Sequence, residues 1–141
     1  LHTLRTTIAN DSLFFDILKT FRIENHLKEI YSQTFIDLVN KKTGKDYNWF
    51  FSQYLYKREA PFMEFCWTDN TLFFRWKNTE DDFVLPVKIK VKDKTITIYP
   101  TTKLQKIELS NVYPEFYDNS DELYYGTIKN EKLKEEFSKN P

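Results

Sequence analysis

The sequence predicts an α+β fold, an N-terminal helical segment followed by a small antiparallel β-sandwich. Two patterns predict it. Apolar residues recur at three- and four-residue spacing over the first 58 positions, and from Pro61 onward they alternate with a period of two. A third observation is composition: 40% apolar and 30% charged residues in 141 positions are enough to build a buried core. The patterns divide the chain into a helical segment over 1–59, a sandwich over 60–128 and a short C-terminal helix or tail over 129–141.

Leu1, Leu4 and Ile8 already stand at helical spacing, with no Ser, Thr, Asp or Asn ahead of them to cap the helix. The expectation is a chain cut from a longer protein. Asn10-Asp11-Ser12 supplies cap chemistry for the next helix, whose Leu13, Phe14, Ile17, Leu18 and Phe21 form one apolar stripe. Over 23–31 the punctuation is weak, although Leu27, Ile30 and Tyr31 fit a helix face. Ser32 or Thr34 is expected to cap a helix bearing Phe35, Ile36, Leu38 and Val39, with Gly44 suited to the left-handed position after its end. Asp46 then caps a short helix crowded with aromatics, from Tyr47 to Tyr56.

In the second half, Met63, Phe65 and Trp67 alternate with Phe62, Glu64 and Cys66. Asp69-Asn70 makes a tight turn, and Leu72, Phe74 and Trp76 resume opposite, which predicts a hairpin. Phe83 to Val91 alternates apolar residues with Val84, Lys88 and Lys90, giving one buried and one solvated face. Asp93-Lys94 turns the chain into a strand over Thr95–Tyr99, and Leu104–Leu109 and Val112–Tyr117 supply two more. Six short strands at near-regular spacing predict the sandwich.

Little in this sequence can do chemistry. Charge balances at 21 against 21, so no bulk attraction to nucleic acid is expected. Apolar runs are short and broken by charge, so no membrane span is expected. A single cysteine, Cys66, excludes an internal disulfide and any zinc site built on several thiolates. With Gly44 and Gly126 as the only glycines, phosphate-cradling loops are excluded, and the zincin and nucleophile-elbow motifs are absent. His26 and Glu29, three apart, could share a helix face but lack the third ligand that zinc requires. Cys66, between Phe65 and Trp67, reads as a buried inert thiol. Lys88, Lys90, Lys92 and Lys94 read as a solvated or edge-protecting row, offset by Glu80, Asp81 and Asp82 just before it. Asp118, Asp121 and Glu122 read as a solvated turn rather than a cation loop. No catalytic, cofactor-binding or metal-ligating residue is therefore assigned. Thirteen Phe, nine Tyr and three Trp form the strongest anomaly, and their periodicity favours core and interface over a ligand platform.

Taken in series, several segments resemble a known family. They are Leu1-His2-Thr3-Leu4-Arg5, the helix opening Leu13-Phe14-Phe15-Asp16-Ile17-Leu18, then Thr34-Phe35-Ile36, and Thr43-Gly44-Lys45-Asp46. Trp49-Phe50-Phe51-x-Gln53-Tyr54-Leu55-Tyr56 and Pro61, before a strand ending at Trp67, complete the series. The order resembles the aminopeptidase N family of zinc metallopeptidases (gluzincins), at the end of the thermolysin-like catalytic domain and the β-sandwich after it. The likeness is strongest over 1–67 and rests on Phe83-x-Leu85-Pro86-Val87 beyond. It implies that the zinc motif, the substrate-amine loop and the catalytic Tyr all precede Leu1, since none matches a position here. It further implies a non-catalytic segment that supports the upstream catalytic domain of the same polypeptide. Zinc would belong to the parent and not to this chain, and peptide substrate would be met only through the parent. An excised helical face is expected to self-associate. The alternative is a non-enzymatic sandwich module binding peptide or glycan, with an exposed aromatic row around Trp67 and Trp76.

Overall fold

The computed structural model describes residues 1–109, 112–116 and 123–139. The fold is α+β. Helices α1 (His2–Ile8), α2 (Asp11–Glu24), α3 (Ser32–Thr43) and α4 (Asn48–Phe51) come first, and α4 runs directly into a π-helical turn over Ser52–Tyr56. Strands β1 (Phe62–Thr68), β2 (Thr71–Lys77), β3 (Val87–Val91), β4 (Lys94–Ile98), β5 (Gln105–Glu108), β6 (Glu115–Phe116) and β7 (Gly126–Lys129) follow, and α5 (Leu133–Lys139) ends the described chain.

Local chemistry explains the helix boundaries. Asn10 caps α2, its Oδ1 accepting the Leu13 N–H at 3.0 Å. Gly44 ends α3 at φ +66, where a side chain would strain the backbone. The expected cap at Ser32 or Thr34 does not form: α3 starts at Ser32, with extended Tyr31 before it and no side-chain bond to its first amides. The cap expected at Asp46 shifts by one residue: Tyr47 is the N-cap of α4 and lends no side-chain bond, while Asp46 accepts the Asn48 N–H at 2.8 Å and Asn40 Oδ1 accepts the Tyr47 N–H at 2.8 Å. The 23–31 stretch does not continue as a helix. Asn25 Nδ2 donates to the Phe21 carbonyl and closes α2, and Leu27 turns left-handed at φ +59. Leu27, Ile30 and Tyr31 are left exposed rather than lining one buried face.

The strands form two sheets, ordered β5-β2-β1-β7 and β4-β3-β6. The β1–β2 hairpin closes on Asp69 (φ 48) and Asn70 (φ 62), the two positive φ angles of a type I′ turn. Its register sets Met63 opposite Trp76 and Phe65 opposite Phe74. These side chains share one core with Val87, Ile89, Val91 and Ile98 of the other sheet, so the sheets stack as a sandwich. Phe83 and Leu85 are buried in it without belonging to a strand; β3 starts only after Pro86, which has no N–H for a ladder.

One feature departs from the sequence reading, and another settles an alternative it left open. The sheet is not wholly antiparallel, because β7 pairs with β1 in parallel. A parallel partner needs a long crossover, and everything between β1 and β7 supplies it. Of the two alternatives for 129–139, a short helix or a tail, the helix forms, over Leu133–Lys139, once Lys129 has ended β7. Helix α5 covers the outer face of β1 and β2, where Leu133 (0% exposed) packs on Cys66 and Phe73. Strict inside–outside alternation therefore fails at Phe73, which is buried on the face that carries Glu64 and Arg75, and Cys66 is buried on that same face, as expected of an inert thiol.

The helices enclose a second core of Leu4, Phe14, Ile17, Ile36, Val39, Phe50 and Phe51. Trp49 and Tyr54 touch both cores, and Trp49 meets Phe83 edge-on with ring centroids 5.4 Å apart.

Candidate functional site

A groove of about 810 Å³ opens on the helical half beside the sandwich. Leu1 and Leu4 of the first turn, Phe35 of α3, Phe50 and Phe51 of α4, and Tyr54 and Leu55 of the π-helical turn form its apolar walls; His2, Thr3, Ser32 and Tyr124 complete the lining. The π-helical turn matters because its wider winding turns Gln53 inward and leaves Leu55 and Tyr56 outside. Gln53 is 3% exposed; its Nε2 donates to the Glu59 carbonyl at 3.0 Å, while its Oε1 has no partner among the described residues. Tyr54 donates its hydroxyl to the Tyr124 carbonyl at 2.8 Å, and the Tyr124 N–H donates to Thr3 Oγ1 at 3.3 Å. These two bonds stitch the start of α1, the π-helical turn and the approach to β7 into one rim. Burial pushes the Tyr54 phenol well above its usual range, helped by Tyr125 and Tyr124, so it remains a donor at ordinary pH. Such walls can seat apolar side chains. None of the lining side chains is a carboxylate, thiol, lysine or arginine.

A second groove, of about 710 Å³, runs along α2 between Leu18, Lys19, Arg22, Ile23 and His26. His26 lies in the turn after α2, so His26 and Glu29 do not share a helical face as their spacing allowed. Among the described residues, no group of three or more His, Cys, Asp or Glu side chains is placed to hold a metal.

Cys66 is buried beneath α5. Burial, then the Glu131 carboxylate, pushes its thiol above the usual range, and its Sγ lies 3.9 Å from the Glu131 carbonyl. All four lysines of the row are exposed, as the solvated reading expects, but they do not protect an edge or lie on one strand face. β3 is the central strand of its sheet, so Lys88 and Lys90 protect no edge; Lys92 enters the turn at φ +56, and Lys94 pairs opposite inward-facing Val91. Nor do the acidic residues before the row pair with it. Glu80 bonds Lys57 at 2.6 Å, and Asp81 accepts the Thr102 hydroxyl at 2.5 Å. Asp118, Asp121 and Glu122 lie outside the described residues. Trp76 is buried and Trp67 half-buried, while Phe65, Phe73 and Phe74 are buried, so β1 and β2 present no open aromatic row.

Sequence reasoning missed the groove and the charged cluster around Arg75. Signals for the second were present: Glu64 and Arg75 face each other across the hairpin register, on the same face as buried Cys66 and Phe73. No protein-family model and no curated protein matches this sequence.

Proposed function

We propose that this chain is the non-catalytic C-terminal part of a zinc-dependent aminopeptidase that hydrolyses N-terminal peptide bonds. In this reading it ends the catalytic domain and adds the following β-sandwich. The observation that carries the reading is the open aromatic groove at the junction of helices and sandwich. Phe50, Phe51, Tyr54 and Leu55 of its walls lie inside the run Gly44–Tyr56 on which the resemblance chiefly rests. Leu1 (74% exposed) and Leu55 (51% exposed) extend the apolar lining into solvent. A groove of this kind fits apolar side chains of the preceding domain, whose catalytic wall the helices would buttress.

The chain's own donors do not fit the zinc. Its two histidines line different grooves, and no set of described side chains converges as ligands. The metal and its chemistry are accordingly assigned to the part of the parent ahead of Leu1. The test is to read the coding sequence upstream of Leu1, express the longer protein and the 141-residue chain, and compare them. The longer protein is expected to bind one zinc and to cleave aminoacyl p-nitroanilides, and the chain alone to do neither. An upstream sequence without an H-E-x-x-H motif and its downstream Glu overturns the reading.

A further inference from the structure

We propose that residues 126–139 form a detachable strap, which leaves the outer face of the four-stranded sheet as one unit while the sandwich core stays closed. The inference is independent of the aminopeptidase reading and rests on how this segment is held.

Its apolar contacts are its own. Leu133, with Phe137 partly buried beside it, packs on Cys66, Phe73 and Leu104 in a cluster separate from both large cores. Removing α5 therefore opens neither of them. Strand β7 is equally peripheral: it lies at the sheet edge, and all four of its residues are exposed. Such segments, with few buried contacts and exposed backbone pairing, are the ones that open sub-globally.

The polar anchors converge on one guanidinium. Arg75 donates Nε to Glu64 Oε2 at 2.6 Å, Nη1 to Glu136 Oε1 at 2.5 Å and Nη2 to Glu136 Oε2 at 3.0 Å. Asn130 completes the latch, its Nδ2 donating to Glu64 Oε1 at 2.7 Å and its N–H to the Phe65 carbonyl at 2.8 Å. At the periphery, Lys134 pairs with Asp69, and Lys106 of β5 sits over the Phe137 ring at 5.4 Å.

The asymmetry of this cluster makes release feasible. Stripping one partner from a buried ion pair is normally prohibitive because it strands a charge. Here Glu64 and Glu136 share Arg75, so when Glu136 departs the guanidinium keeps its bond to Glu64 on the neighbouring strand. The departing carboxylate is already 43% exposed and passes directly into water. The cost of opening is mainly the burial of Leu133, the β7 pairing and the Asn130 bonds to Glu64 and Phe65. The opened state bares the β1 edge and the thiol of Cys66, which serves as its reporter.

The experiment measures reaction of Cys66, the one cysteine, with dithiobis(nitrobenzoate) in increasing urea, beside global unfolding followed by tryptophan fluorescence. Labelling is expected to depend on urea several-fold less steeply than global unfolding, as opening exposes only a small surface. Glu136→Gln is expected to speed labelling about tenfold and Leu133→Ala at least about thirtyfold, each with the shallow dependence retained. Leu133→Ala could fail to fold, in which case Glu136→Gln alone decides. Labelling that matches global unfolding in rate and urea dependence, in wild type and Glu136→Gln alike, overturns the strap.

Discussion

The helical half and the sandwich bury similar kinds of side chain but finish the task differently. The sandwich closes on itself: Met63, Leu72, Trp76, Phe83, Leu85 and Ile89 are each at most 1% exposed, supplied from two facing sheets and the segment between them. In the helical half only one side is finished. Ile17 and Val39 are fully buried, yet Leu1, Phe15, Ile23, Leu27, Leu55 and Tyr56 stand half or more exposed, Leu1 and Leu55 on the wall of an open groove. Stacked sheets cover both inner faces at once, whereas these short helices bury one face against each other and leave apolar side chains exposed on the other.

The largest expected effect tests the closed core. Trp76→Ala should cost about 3–5 kcal/mol in urea denaturation, a large share of a domain's stability. Its Nε1 has no partner among the described residues, so the loss is one of packing alone. Ile17→Ala should cost about 2–3 kcal/mol, the lower end for such a truncation, since helices beside an open groove can settle into the space. An equal or larger cost for Ile17→Ala would break the contrast between a closed and an unfinished core. Leu55→Asp is expected to weaken concentration-dependent self-association about tenfold or more in sedimentation velocity. A chain that stays monomeric at high concentration would remove the reason for the substitution.

Smaller effects probe the joints. Gly44→Ala should cost about 1–2 kcal/mol from backbone strain alone, because no atom lies within 4 Å of the added Cβ. Gly44→Asn should recover part of that loss, measured by thermal unfolding. The smallest effect is acid sensitivity. Asp11 (by Arg5), Asp69 (by Lys134), Glu131 (by Lys129) and Glu136 (by Arg75, with Lys77 adding) are held below their ordinary values. Their stabilisation is present above about pH 4.5, the upper end of unfolded carboxylate values, and is lost as pH falls through the depressed folded values. Three of the four pairs involve the strap. Hydrogen-exchange protection, taken relative to the intrinsic rate at each pH, should therefore fall over 126–139 before it falls over Leu72–Trp76 as the pH drops to about 3.

Legibility in the sequence followed the range of each interaction. Asn10, Gly44 and Asp69-Asn70 were readable because capping and turn geometry are settled within three or four residues. Two local expectations still failed, as Tyr31 took the cap position meant for Ser32 and Tyr47 the one meant for Asp46, while left-handed Leu27 settled a stretch the sequence left open. Both turn on one residue's backbone conformation, which apolar periodicity does not report. The run from Tyr47 to Tyr56 was readable as an aromatic helix, whereas its π-helical winding and the pocket against Tyr124 and Leu1 were not.

The sequence by itself determined the two periodicities, the change between them at Pro61, and the side chains available to fill a core. Tertiary structure alone decided that β7 joins β1 in parallel, that α5 covers Cys66 and Phe73, and that Arg75 is shared by Glu64 and Glu136. The reason is physical. Periodicity reports which face of an element is apolar, a property of neighbours in sequence. What covers that face depends on segments some sixty residues away, such as Glu136 on Arg75, and only closure of the whole chain brings them together.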